Sequence, residues 1–271
     1  MSWFEAIILG LVQGLTEFLP ISSTGHLRII PAFAGWEDPG AAFTAVTQLG
    51  TLAAVLLYFR ADLWRIAKAW MKSLRDKEAR KTLDAKLGWF ILIGTIPICL
   101  FGFVFSHQIE NGARSLYLIG ITLIVLGVVL WIAELVGKRD RKLEALTLKD
   151  GIAIGFAQAC ALIPGVSRSG ATISAGLFLG LERAAAARYS FLLSVPAVVL
   201  SGAFEIKDIG GENNASASAT IVATVVAFIV GYAAIAWLLK YLATHTVKVF
   251  VVYRIVLGVL VLTLASSGTI S

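Results

Sequence analysis

The chain has 271 residues, 58% of them hydrophobic, and a mean hydropathy of +0.84. Ordinary soluble domains hold roughly 45–50% apolar residues. A soluble fold is therefore excluded, and at ~20 residues per helix the length allows about six to eight membrane spans in one domain. The net charge of +6 is no nucleic-acid footprint, because its cations fall in two short stretches between apolar runs, the pattern of a topology signal.

The opening "MSWFEAIILG" carries Glu5 and no Lys or Arg ahead of its apolar stretch, so a cleaved signal peptide is not expected. Residues 3 to 19 contain Glu5, Gln13 and Glu17 and stop at Pro20; a Ser-rich turn and a short apolar piece follow. This pattern predicts a helical hairpin that enters the membrane and turns back, since irregular backbone at depth survives only inside protein or beside a wet cavity. Clean spans are expected at 41 to 59, 87 to 105 and 117 to 136. Residues 151 to 163 are short, stop at Pro164 and predict a second hairpin; spans at 185 to 203, 218 to 239 and 249 to 266 complete the chain. Cys99 and Cys160 lack metal or redox spacing and read as buried small hydrophobes. The expected fold is an all-α polytopic membrane protein with six full transmembrane helices and two re-entrant helical hairpins.

The chain also repeats itself. "GLVQGLTEFLPISSTG" at 10 to 25 resembles "GFAQACALIPGVSRSG" at 155 to 170, and "IVLGV" occurs at 124 to 128 and again at 255 to 259. A duplication within the single membrane domain 1–271 follows, with one copy over about 1–136 and the other over about 150–266. Three spans per copy is an odd number, so the second copy should lie inverted in the bilayer. The charges give an independent indication. The connection from 60 to 86 holds nine cations, among them Arg60, Arg65, Lys68 and Lys72, and that from 137 to 149 holds five, whereas 106 to 116 carries only Arg114. Residues 204 to 217 set Lys207 against Glu205, Asp208 and Glu212. The two basic connections are expected on the cytoplasmic side, which places both termini outside and brings two opposed hairpins together near the bilayer centre.

The hairpins carry the chemistry. Gln13 and Glu17 share one helix face with Gly10 and Gly14, so another backbone can approach that face closely. A carboxylate at that depth is costly; it reads either as the partner of an arginine or as a ligand that, with the Gln13 oxygen, holds Mg²⁺ or Ca²⁺. Beyond Pro20, Ser22, Ser23 and Thr24 supply caps for a returning half-helix, whose free N–H groups attract anions. The second hairpin repeats the design and adds Arg168 between Ser167 and Ser169, with Thr172 nearby, a fitting clamp for phosphoryl oxygens. His26 lies three residues past Ser23, the spacing at which a base and a hydroxyl can meet on a helical turn. His107 and His245 fall in connections, and Glu182, Arg183 and Arg188 read as a local ion-pair collar at the hairpin exit.

The segments "QGLTEFLPISSTGH" and "PGVSRSGAT", with "TQLGTLAAV" at 47 to 55 and "FLLSVP" at 191 to 196, resemble the undecaprenyl-diphosphate phosphatase family of bacterial inner-membrane proteins associated with bacitracin resistance. The resemblance covers the whole chain. It implies hydrolysis of a polyprenyl diphosphate lipid to its monophosphate and inorganic phosphate, which recycles the carrier for cell-wall synthesis. It also implies that Gln13 and Glu17 form the family's acidic motif, that Ser23 and His26 are catalytic, and that residues 164 to 170, including Gly170, bind phosphate through Arg168. Gln13 stands where some relatives carry Glu, which weakens the expected cation site. The same inverted plan would also serve a lipid-carrier transporter, and the oligomeric state, a homodimer included, is left open.

Overall fold

A computed structural model describes residues 1–105, 115–205 and 216–270, and these form eleven α-helices with short 3₁₀ turns and no β-structure beyond one isolated bridge between Arg141 and Leu181. The helices are α1 (Trp3–Phe18), α2 (Ser23–Ala34), α3 (Gly40–Tyr58), α4 (Arg60–Ser73), α5 (Leu83–Val104) and α6 (Leu116–Val136). After them come α7 (Leu148–Ala159), α8 (Arg168–Phe178), α9 (Arg183–Glu205), α10 (Ala217–Thr244) and α11 (Lys248–Ser266). His107, Arg114, Lys207, Asp208 and Glu212 lie outside the described residues.

Five helices, α5, α6, α9, α10 and α11, are long and apolar enough to cross a membrane. A sixth span is reached when Ala42–Tyr58 and Arg60–Ser73 are taken together, although they meet at a 75° bend. The segment 60 to 73, read from sequence as part of a connection, is thus a helix of its own. Its Arg60, Asp62, Arg65, Lys68 and Lys72 are too polar to continue α3 into lipid, so the chain turns at Phe59. The remaining helices α1, α2, α7 and α8 have 16, 12, 12 and 11 residues. At ~1.5 Å per residue none of them reaches across a hydrocarbon layer of ~30 Å.

Helix α9 is the hub, with 61% of its apolar window buried against 33% for α10 and for α11. Its Tyr189, Phe191, Leu192 and Leu193 anchor the main core. The outer helices turn large apolar side chains outward, Phe103, Leu135, Ile229 and Val256 among them, which is the surface a lipid solvent requires. Cys99 and Cys160 are exposed rather than buried. Both sit on outward faces, where an apolar neighbourhood in sequence signals lipid and not protein core.

Two close packings bring the short helices into place. Helix α1 lies along α10, where a Cβ at Gly10 would meet the Ala223 carbonyl at 2.5 Å and one at Gly14 the Ala227 carbonyl at 2.7 Å. Helix α7 lies along α5, where Gly155 sits against the Gly94 main chain. Each hairpin therefore packs on a long helix from the other part of the chain. The glycine face expected beside Gln13 and Glu17 is the one α10 occupies.

The collar expected at the second hairpin's exit is instead a set of pairs between elements. Arg183 joins Arg139 on Glu134 at the end of α6, Arg188 reaches Asp62 of α4 at 2.5 Å, and Arg141 holds Asp150 at 2.6 Å. These pairs gather the connections 60 to 86 and 137 to 149 at one end of the bundle.

Candidate active site

The two hairpin turns are built alike. Helix α1 ends where Leu19 turns extended and Pro20 follows; Ser22 then caps α2, its Oγ accepting from the Gly25 N–H at 3.3 Å. Helix α7 passes through a 3₁₀ turn to Pro164 and Gly165, and Ser167 caps α8 by accepting from the Gly170 N–H at 3.0 Å. Gly165 has φ 79°, a left-handed conformation, and a Cβ there would collide with Thr122 and Ile119 of α6, so the turn needs glycine twice over. Ser22 adopts φ 77° without that freedom.

The turns touch. Ser169 Oγ donates to the Leu19 carbonyl at 2.9 Å, and the Arg168 guanidinium donates to Glu17 Oε1. The other carboxylate oxygen of Glu17 accepts from Ser23 Oγ at 2.6 Å and from Gln13 Nε2 at 3.2 Å. Glu17 and Gln13 are buried, while Arg168 and Ser23 keep partial exposure. Four of the expected residues, Gln13, Glu17, Ser23 and Arg168, thus form one hydrogen-bonded cluster drawn from both hairpins.

His26 is placed otherwise. The expected contact between His26 and Ser23 is replaced: Ser23 turns to Glu17, and His26 Nδ1 lies 2.6 Å from the Ser22 carbonyl one turn back. Its Nε2 lies 2.7 Å from Tyr253 Oη of α11, with the two rings stacked at 5.6 Å. The Ser22 carbonyl can only accept, so Nδ1 carries the proton and Nε2 accepts from the tyrosine hydroxyl. The i, i+3 spacing put Ser23 and His26 on one turn but could not reveal partners on α1 and α11.

The remaining candidates divide by what they already hold. Ser22, Ser167, Ser169 and Gly170 are buried and used in caps and in the contact between turns. Thr172 faces away, donating to the Arg168 carbonyl at 2.8 Å and meeting Ser190 Oγ of α9 at 2.6 Å; it braces α8 against the hub. Thr24 is exposed beside Ser23.

Two site residues were missed in the sequence. Tyr253 is one. The other is Arg254, fully buried, whose guanidinium donates to the Pro20 carbonyl at 3.0 Å and to Gly165 at 3.3 Å, and to Leu123 and Thr122 of α6 at 3.2 and 3.4 Å. A lone arginine inside an apolar span was the available signal, since an intramembrane charge is rarely idle.

Among the described residues, no group of three or more His, Cys, Asp or Glu is arranged to hold a metal. The donor chemistry near Glu17 is nonetheless that of a hard cation: Gln13 Oε1 is buried beside the carboxylate with no hydrogen-bond partner. Two protein oxygens fit such an ion only if a ligand supplies the others.

A polytopic helical membrane protein with a carboxylate, a hydroxyl and a guanidinium joined where two buried turns meet is the class that fold and site define. Within that class the chain belongs to the bacitracin resistance protein BacA family, whose profile matches residues 6–260. It is 56% identical to an undecaprenyl-diphosphatase of Nocardioides sp. over 100% of this chain and 99% of the relative. A Thermobifida fusca undecaprenyl-diphosphatase is 54% identical over 100% and 93% of the two chains, and one from Nocardia farcinica 50% over 100% and 98%.

Proposed function

We infer that the protein hydrolyses undecaprenyl diphosphate to undecaprenyl phosphate and inorganic phosphate, recycling the lipid carrier of cell-wall synthesis. Full-length identity to relatives bearing that activity in their names supports the reading. The observation that carries it in the structure is the cluster of Glu17, Ser23 and Arg168 at the meeting point of the two turns. A diphosphate head needs concentrated positive charge, and the tail needs lipid beside it; a guanidinium inside a helical bundle provides both.

In this scheme Arg168 turns from Glu17 to the terminal phosphoryl group, assisted by N–H groups at the start of α8 and of α2, because phosphoryl transfer depends on positioning and electrostatics. Ser23 Oγ attacks phosphorus as its proton passes to Glu17, the base at hydrogen-bond distance. The bond to the bridging oxygen breaks and the lipid monophosphate leaves. Once His26 Nε2 exchanges Tyr253 for a water, it takes that water's proton as the oxygen attacks phosphorus; the Ser23 Oγ–P bond breaks, Glu17 returns its proton to Oγ, and inorganic phosphate leaves, while the direct alternative has His26 activate water without a covalent stage. Thr24, Ser22, Ser167, Ser169 and Gly170 shape the anion pocket, and Thr172 holds α8 in place behind it. Mg²⁺ or Ca²⁺ would be held by Gln13 Oε1, Glu17 and substrate oxygens, and would supply further charge neutralisation. The scheme draws every side chain from one chain and needs no homodimer.

We further propose that the protein lies in a bacterial inner membrane as an inverted repeat with both termini outside the cytoplasm. The gathering of both basic connections at one end supports this. So does the crossed packing of α1 on α10 and α7 on α5.

Phosphate release by the purified protein in detergent, with and without chelator, is the direct test. Arg168→Ala is expected to lower turnover at least ~10²-fold, as loss of a charge-stabilising donor does. Vectorial lipid movement in liposomes without phosphate release would make the protein a carrier instead. Substantial activity in Ser23→Ala would eliminate the covalent route and leave the water route.

A further inference from the structure

Arg254 stands out among the buried charged side chains because main-chain carbonyls, not a carboxylate, hold it. Two of those carbonyls matter most. Pro20 belongs to the first turn and Gly165 to the second, and each lies three positions from its turn's charged group, Glu17 on one side and Arg168 on the other. The same guanidinium bonds α6 through Thr122 and Leu123, while Thr122 Oγ1 donates to the Pro164 carbonyl at 2.8 Å. Gly170, at the start of α8, is also against it: a Cβ there would lie 3.3 Å from Arg254 Nη1.

We propose that Arg254 is a positioning residue for the reaction, a clamp that fixes the two hairpin turns against each other so that Glu17 and Arg168 meet. The proposal rests on the hydrolase reading above. A guanidinium suits this place because its planar fork presents five donors in fixed directions, enough to serve carbonyls from three elements at once. An ammonium of similar charge is a single point on a flexible stem and cannot span them. Without the clamp, the turns are joined mainly by Ser169 on Leu19 and by the Glu17 to Arg168 pair itself. When substrate takes Arg168 from Glu17, Arg254 is what keeps the turns from drifting apart.

The test compares wild type, Arg254→Met and Arg254→Lys, all full length in detergent, with Leu238→Ala, on α10 and outside both turns, as a control that loosens the core. The substrate is a polyprenyl diphosphate. Spin labels at Thr24→Cys and Ile163→Cys, with Cys99 and Cys160 replaced by Ser, report the distance between the turns without reference to activity. Arg254→Met should lose about 10²-fold in kcat, the cost typical of a displacement near 1 Å in a reacting geometry, with little change in KM and a broadened label distance. Arg254→Lys should fall between it and wild type. Leu238→Ala should lower thermal stability and leave the label distance sharp. If Arg254→Met does not fold, Arg254→Lys decides the matter by the same two readings. Wild-type kcat and a sharp distance in a folded Arg254 variant would overturn the proposal. A wild type that releases no phosphate overturns the hydrolase reading instead, and the distance measurement still judges the clamp.

Discussion

Glu17 is the residue on which the site converges, accepting from Arg168, Ser23 and Gln13 at once. Removing one member of a buried ion pair leaves the other charge uncompensated, typically at about 3–5 kcal/mol. Glu17→Ala is therefore expected to lower the thermal unfolding midpoint as well as to abolish phosphate release, and a midpoint equal to wild type would show that Arg168 finds solvent unaided. The residue types at this site were legible because polar side chains inside apolar runs are conspicuous. The meeting of Glu17 with an arginine was readable as well; the partners of Ser23 and His26 were not. Ser23 and His26 looked like partners from local spacing, yet each is held by a residue from another element, Glu17 and Tyr253, and Arg254 passed unnoticed within a span whose hydropathy it hardly dents.

At the level of elements, the short helices depend on glycine for their seating. In a membrane, close backbone approach and dispersion replace the hydrophobic drive between helices, so a side chain added at the contact removes the source of association. Gly155→Val should push α7 off the Gly94 main chain and destabilise the protein by about 1–3 kcal/mol or more, the range for overpacking. Gly102→Ala on the same partner helix α5 meets only Leu162 at 3.7 Å and should be tolerated. Thermal unfolding of both variants in one detergent checks the contrast; equal midpoints would mean that the contact carries no weight. The long helices were legible from apolar length alone. Helix α4 was not, because a run dense in Arg and Lys reads as a connection unless its Leu63, Ile66 and Trp70 are noticed as one core-facing stripe.

For the molecule as a whole, charge sets orientation and can be tested without any assay of function. A cysteine at Ser2 should react with an impermeant thiol reagent added to intact cells, and one at Lys77 should react only after permeabilisation; the reverse pattern would invert the topology and move the basic end outside. Internal similarity between the two hairpin sequences was readable from their matched Gln, Pro, Ser and Gly, but crossed packing was not, since it joins residues as far apart as Gly10 and Ala223. That crossing has a consequence for biogenesis. Helix α1 leaves the ribosome well ahead of α10, whose surface it fits, so the first hairpin must wait, sheltered by the insertion machinery or by lipid, until α10 has followed. Neither half made alone should mature, whereas two separately translated fragments cut between α6 and α7 should reassemble when co-expressed.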